Sequence, residues 1–237
     1  MKRSVIIVQA RFGSSRLPGK VLERLAGRTV LSHVLERCRA ISTAANLCCA
    51  VPVGEFDDEV AAEAQRCGAT VIRGSEGDVL DRHYRAASQC QADVVMRVTS
   101  DCPLLDPVVA NRVLECVVTQ EADYACNNLP RSWPHGLDCE AFTFDWLQRA
   151  AREAKSPEQR EHVTPFLRTH PDVRKVGVFG PGGDMARYRW TLDTPADLEF
   201  LRTVFQQLPD GPSAFDYRTT LKIVESDPRL RAHTSPE

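Results

Sequence analysis

With 237 residues, 43% of them hydrophobic and 26% charged, the chain is long enough to bury one sizeable core and has the composition of a soluble globular protein. Its formal net charge of -2 gives no compositional support to nucleic acid binding. No apolar run reaches the roughly 18 residues that a membrane span needs, and the short apolar core behind Lys2 and Arg3 is unlike a signal peptide. A cytoplasmic location is therefore expected, with neither membrane nor nucleic acid as partner. The nine cysteines are odd in number and lack C-x-x-C spacing. Cys38, Cys48, Cys49, Cys67, Cys90, Cys116 and Cys126 fall in apolar periodic segments, where a reduced thiol behaves as a small hydrophobe.

In chain order, β-rich apolar runs alternate with stretches of helical spacing. Strands are predicted at 4-SVIIVQ-9, 47-LCCAVP-52, 70-TVIR-73 and 93-DVVMRV-98, and helices at about 29–40, 57–67 and 78–90. In the first helix Val30, Leu31, Val34, Leu35 and Cys38 form one stripe; Gly68 stops the second, and Asp106-Pro107 starts another. This alternation predicts an α/β fold of Rossmann-like type with a mostly parallel sheet. Ligands then bind beyond the carboxyl ends of the strands, where 10-ARFGSSRLPGK-20, 74-GSEGD-78 and 99-TSDCPLLD-106 converge. From about residue 124 the rhythm changes. A turn-rich segment with a short β-like run (124–144) precedes a helix at about 145–155, and 156-SPEQREHVTPFLRTHP-171 opens with a Ser156/Gln159 capping box. Strands at 174–180 and 187–193 and a capped helix at 194–208 follow, and 232–237 reads as a loose tail. The simplest description is one domain, 1–237, with a small inserted β/α subdomain at about 127–187.

The stretch 9-QARFGSSRLPGK-20 looks like a phosphate cradle. A Walker A loop has four residues between its glycines, then Lys and Ser or Thr; here five residues separate Gly13 from Gly19, and Val21 follows Lys20. A dinucleotide fingerprint fails as well, with only two widely spaced glycines and Pro18 between them. What remains is an extended loop carrying Arg11, Arg16 and Lys20, in which Ala10, Gly13 and Ser15 let backbone N–H groups approach phosphate oxygens. Against this stands a surface turn with solvated charges. A triphosphate also needs a metal, and Mg2+ is commonly held by one or two carboxylates plus phosphate oxygens. Asp101 lies just past the fourth strand, and Asp193 stands before the Thr194-Pro195 helix start. Either alone reads as a turn or cap carboxylate.

Taken together, 9-QARFGSSRLPGK-20, 74-GSEGDVLDRHY-84, 99-TSDCPLLDP-107, 135-HGLDCE-140, 160-REHVTP-165 and 190-WTLDTPADLE-199 resemble the cytidylyltransferase family, which activates acylneuraminate and 3-deoxy-manno-octulosonate. The likeness spans about residues 4 to 205 and is nearest to the branch named for the spore coat polysaccharide biosynthesis protein SpsF. It implies a GT-A-like nucleotidyltransferase domain that transfers CMP from CTP to a sugar acid with release of pyrophosphate, Mg2+ as cofactor, and a homodimer formed through about residues 125 to 190. Carried over, Arg11 and Lys20 match the phosphate-binding cations and Asp101 and Asp193 the magnesium carboxylates. Ser15 and Arg16 share the loop motif, and Ser75 lies in the nucleoside-contacting region.

Arg97, inside a buried strand, needs an anionic partner and is assigned to the nucleotide. Asp138 and Glu140, two apart on a β-like segment, face one way and are assigned to the acceptor sugar with Arg160 and His162; the competing view of the last two is a solvated helix pair and a half-buried histidine. A sugar-1-phosphate nucleotidyltransferase using CTP, GTP or UTP is the neighbouring alternative. A metal-dependent glycosyltransferase would show D-x-D, whereas 99-TSDCP-103 has one Asp. A non-catalytic relative would have lost a metal carboxylate or the loop lysine, and all three are present.

Overall fold

In the computed structural model, which describes residues 2–211 and 213–234, the first strand already sets the layering. In β1 (Ser4–Gln9), Val5 and Ile7 face one side while Ile6 and Val8 face the other, and all four are fully buried. A strand covered on both faces is apolar throughout, which is why this run shows no alternation.

After β1 a two-strand hairpin, β2 (Arg24–Leu25) and β3 (Arg28–Thr29), leads into α1 (Val30–Arg39), which Thr29 caps through its hydroxyl. There follow β4 (Asn46–Pro52), α2 (Asp57–Arg66), β5 (Thr70–Gly74), α3 (Val79–Gln89), β6 (Val94–Thr99) and α4 (Pro107–Val118). Asp106 and Gly68 act where the sequence marks them, Asp106 accepting from Val108 N at 2.8 Å and Gly68 at φ +71°, and Asp78 caps α3 by accepting from Asp81 N at 2.9 Å. The second half adds β7 (Tyr124–Cys126), β8 (Glu140–Thr143), α5 (Phe144–Glu153), α6 (Pro157–His162), α7 (Pro165–Thr169), β9 (Lys175–Gly177), α8 (Pro195–Phe205), α9 (Tyr217–Ser226) and α10 (Pro228–Arg231).

The main sheet has seven strands in the order β5-β4-β1-β6-β8-β7-β9. All neighbouring pairs are parallel except those made by β8, which runs against β6 and β7. One face is covered by α1, α2 and α4, with Leu31, Val34, Val60 and Val113 packed on Ile6 and Val8. The other is covered by α3, α5 and α7, with Leu80, Leu147 and Leu167 packed on Val5 and Ile7. A third cluster joins the β2–β3 hairpin to α8, α9 and α10 around Leu25, Trp190, Leu201, Val224 and Leu230. Among the described residues no helix is long and apolar enough to cross a membrane.

Four expectations are modified. The segment 127–187, expected as an inserted subdomain, supplies β8 and β9 to the main sheet, and its Phe142, Leu147 and Val163 share a core with β1. The predicted strand 187–193 is extended without being part of the sheet. Its alternation is genuine, since Tyr188, Trp190 and Leu192 are buried, but they pack with Leu198 and Leu201 of α8, and among the described residues pairing is limited to single bridges of Tyr188 with Thr234 and Arg189 with His135. The helical region 156–171 is broken at Val163, whose φ of +69° and the Thr164 N to His162 O hydrogen bond of 2.8 Å form a γ-turn; Pro165, which has no N–H to donate, then opens α7. The tail is partly tied down: Thr234 bridges Tyr188 and His233 Nε2 lies 2.9 Å from Asp197 Oδ1, while 235–237 lie outside the described residues.

Candidate active site

The loop after β1 is pinched at its base. Gly19 N donates to Phe12 O at 2.9 Å, and Phe12 N donates to Asp57 Oδ1 at 2.7 Å, so the first turn of α2 anchors the loop. Gly19 has φ +69°, and a Cβ there would stand 3.0 Å from the Phe12 ring. A 3-10 turn over Lys20–Leu22 follows and directs Lys20 inward. Arg11 and Arg16 project from the pinched loop and are largely solvated, Arg11 with Glu76 at 3.7 Å and Arg16 with Asp193 at 3.3 Å.

Asp101 and Asp193 are brought together by backbone stitching. Leu192 N and Thr191 Oγ1 both donate to Asp101 O, at 2.9 and 3.2 Å. This ties the loop after β6 to the extended segment before α8. Lys20 Nζ lies between the two carboxylates, 2.8 Å from Asp101 Oδ2 and 2.8 Å from Asp193 Oδ1, and donates to Leu192 O at 2.7 Å. The other Asp193 oxygen takes Arg189 Nη2 at 2.7 Å. Arg189 is in turn fixed on Asp197, which also accepts from the Asp193 and Thr194 amides at 2.8 Å each. Asp197 is the third residue of the Thr194 capping box, so a helix cap doubles as the mount of Asp193.

Burial alone would raise the carboxyls of Asp101 and Asp193 and lower the Lys20 ammonium, but the mutual attraction prevails. Both carboxyls are held below, and the lysine above, their ordinary values. All three are therefore charged at neutral pH. Two carboxylates already holding a cation through oxygen suit a hard divalent ion. No group of three or more metal-ligating side chains occurs among the described residues, so such an ion would complete its shell with phosphate oxygens and water.

Two adjoining cavities share this point. The first, about 260 Å³, is lined by Ala10, Arg11, Gly13, Ser15, Arg16 and Lys20 of the loop, and also by Val79 and Arg82 of α3. The second, about 380 Å³, is lined by Arg97, Asn128, His135, Asp138 and Glu140. Gln9, Thr99, Asp101, His162 and Asp193 belong to both. The loop residues line the first cavity, Asp138 and Glu140 the second, and both aspartates and His162 border the two.

Three assignments fare differently. Arg97 lines the second cavity and not the loop cavity, and the anion it requires is internal: Nη1 donates to Glu140 Oε2 at 2.6 Å. Glu140 also accepts from Arg168 Nη2 at 2.6 Å, so it is engaged by two guanidiniums. Arg160 lines neither cavity; it grips the Asp78 carboxylate, with Nε 3.0 Å from each oxygen, and donates to Ala151 O at 2.8 Å, joining α6 to the cap of α3. Ser75 is exposed, outside the lining of both, and its carbonyl accepts from Arg82.

Arg82 escaped the reading of the sequence. It is 2% exposed and lines the loop cavity. Its recorded acceptors are the Ser75 and Glu76 carbonyls, its Nε has no partner, and no carboxylate within ion-pair distance of it occurs among the described residues. Burial and then Arg11 lower its pKa. Its signal was its place on the buried stripe Val79, Arg82, His83, Ala86, where an arginine is unexpected.

The site thus offers a cation-rich loop cavity and an adjoining polar cavity, with two carboxylates on their common wall. The profile of the cytidylyltransferase family matches residues 5–219. The spore coat polysaccharide biosynthesis protein SpsF of Bacillus subtilis is 32% identical over 219 residues, covering 90% of each chain. A 3-deoxy-manno-octulosonate cytidylyltransferase of Anaeromyxobacter dehalogenans is 32% identical over 244 aligned positions, covering 86% of this chain and 98% of its own. A solved cytidylyltransferase of Leptospira borgpetersenii superposes with a TM-score of 0.91 at 26% identity over 100% of both chains. With the family profile spanning nearly the whole sheet and both aspartates, this chain belongs to the cytidylyltransferase family and is a nucleotidyltransferase.

Proposed function

We propose that the protein transfers CMP from CTP to a hydroxyl of a sugar acid of the nonulosonic or octulosonic type, in the cytoplasm, for surface polysaccharide or glycan synthesis. The observation that carries this reading is the common wall: Asp101 and Asp193 border both the loop cavity and the polar cavity. A reaction joining two substrates at one phosphorus needs that arrangement. The acceptor class follows what the relatives' names say of them.

In this reading Arg11, Arg16 and Arg82 receive the triphosphate, and Lys20 swings from the carboxylates to the phosphates. Asp138, Glu140 and His162 border the acceptor. Asp101 and Asp193 would hold Mg2+, which when bound would neutralise phosphate charge and acidify the attacking hydroxyl. The acceptor oxygen forms a bond to the α-phosphorus as the bond to the pyrophosphate oxygen breaks, and the hydroxyl proton leaves to solvent. Arg82, buried and held by the Ser75 and Glu76 carbonyls, is in place before the reaction to stabilise the departing pyrophosphate, and the solvated Arg11 and Arg16 close on it.

The test is pyrophosphate release, measured with Mg2+ over the four ribonucleoside triphosphates and a panel of 2-keto sugar acids. CTP with a sugar acid is expected to dominate, and CMP-sugar should match pyrophosphate one to one. A preference for GTP or UTP with a sugar 1-phosphate would establish the neighbouring nucleotidyltransferase reading instead. Asp193→Asn is expected to lower turnover at least 100-fold while leaving the circular dichroism spectrum unchanged; undiminished turnover would remove Asp193 from the reaction.

A further inference from the structure

We propose that Lys20 is the resident cation of the Asp101–Asp193 site, so that a divalent metal and the lysine compete for one position and the triphosphate settles the competition. The proposal rests on the reading above that these two carboxylates hold the metal. Its own basis is the cage around Nζ. An ammonium has three donors, and Lys20 directs them at Asp101 Oδ2, Asp193 Oδ1 and Leu192 O, at 2.8, 2.8 and 2.7 Å. The side chain is only 13% exposed. The remaining Asp193 oxygen is taken by Arg189 and approached by Arg16. With Asp101 Oδ1 approached by the Cys102 thiol at 3.6 Å, a cation bridging the two facing oxygens, Asp101 Oδ2 and Asp193 Oδ1, enters where Nζ stands.

Displacing the lysine without a nucleotide is unfavourable. The space it would enter is the loop cavity, which already presents Arg11, Arg16 and Arg82. Glu161 lines that cavity and Glu76 stands 3.7 Å from Arg11, but Lys20 would leave two carboxylates behind to join three arginines, so its charge there is under-compensated until an anion arrives. A bound triphosphate supplies that anion, draws Nζ onto its oxygens, and vacates the carboxylates at the moment a metal can also use the phosphates. Metal and nucleotide then bind cooperatively, and by linkage each strengthens the other by the same factor. Lys20 in this view has two stations, reached through its own side-chain torsions while Gly19 stays hydrogen-bonded to Phe12 O and Leu22 N at the base of the loop.

The experiment is Mn2+ binding to the full chain without nucleotide, read by loss of the free-ion electron paramagnetic resonance signal. Lys20→Met and Lys20→Gln, both checked for folding by circular dichroism, are expected to bind Mn2+ at least tenfold more tightly than wild type. Adding Asp193→Asn to either should abolish that gain. With α,β-methylene-CTP present, wild type should gain far more Mn2+ affinity than the Lys20 variants do. A wild-type readout stands beside these: acetylation of Lys20 by acetic anhydride, followed by peptide mass spectrometry against Lys155, should rise as Mn2+ fills the site. Equal Mn2+ affinity in wild type and both variants, at a site that Asp193→Asn removes, overturns the exchange and leaves the metal assignment standing. Lys20 acetylation that stays flat while Mn2+ binds does the same. Mn2+ binding that survives Asp193→Asn, or that is missing with and without nucleotide, overturns the metal assignment and the exchange together.

Discussion

Glu140 shows how burial and charge combine at a single residue. It is 2% exposed and accepts from Arg97, Arg168 and Tyr124. Burial would raise its pKa, but the two guanidiniums pull it down to about 2. A depressed carboxyl pKa contributes stability that is present above the ordinary value of 4.5 and is lost as pH falls toward 2. His83 adds a second acid-sensitive step. It is fully buried, donates from Nδ1 to Val79 O at 2.9 Å, and is pushed down to about 3 by burial and then by Arg97. Its unfolded form takes a proton near pH 6.5 while the folded form resists, so stability declines from about 6.5 downward. Urea denaturation across pH should show that decline, and His83→Leu should flatten it above pH 4.5; an unchanged slope would exclude His83 as its source. Glu140→Gln leaves Arg97 and Arg168 facing each other without a counter-charge, and the expected loss at pH 7 is about 3 to 5 kcal/mol. A loss below about 1 kcal/mol would mean that solvent, not Glu140, balances the two arginines.

At the scale of elements, the site depends on an extended segment that the sheet does not hold. Residues 188 to 193 are secured by Trp190 N on His135 O at 2.6 Å and by Leu192 N on Asp101 O at 2.9 Å. The first contact requires Gly136. Its φ is +119°, and a Cβ there would meet the Trp190 carbonyl carbon and oxygen at 2.5 Å. Backbone cannot yield as a flexible side chain does, so Gly136→Ala must push the Trp190 segment outward and with it Asp193. We expect a stability loss of at least about 2 kcal/mol and a fall in kcat larger than any change in the CTP KM. An alanine variant with normal kcat would show that the segment is held by Leu192 and α8 alone. Val163, with φ +69° and fully buried, is the other strained point, and it lies directly after His162 on the shared wall.

For the whole molecule, the sheet has β9 at one edge, with Phe179 57% exposed just beyond it. We propose that this end of the sheet, within residues 125 to 190, forms the interface of a homodimer. Light scattering should give twice the 26.4 kDa chain mass, and Phe179→Asp should lower it toward the monomer; a monomeric wild type would refute the interface. The strands, helix starts and loop of the first half were legible because periodicity, caps and glycine placement act among residues a few positions apart. Asp106, Ser156 and Thr194 all cap where the sequence puts them, and Thr29 and Asp78 cap the helices expected to begin at about those residues. The alternation of Tyr188, Trp190 and Leu192 was equally visible, but whether it meant a strand depended on α8, which covers those side chains. The arginines separate the two kinds of knowledge most sharply. By sequence Arg97 and Arg160 were ligand residues and Arg82 went unremarked within a predicted helix; in the fold Arg97 has Glu140, Arg160 has Asp78, and Arg82 lines the cavity with no ion-paired carboxylate among the described residues. Thus the sequence by itself determined the α/β alternation, the glycine- and cation-bearing loop after β1 and the strand-end positions of Asp101 and Asp193. Tertiary structure alone decided which cations remain for a ligand, because ion pairs between residues 43 and 82 positions apart exist only once the chain has folded.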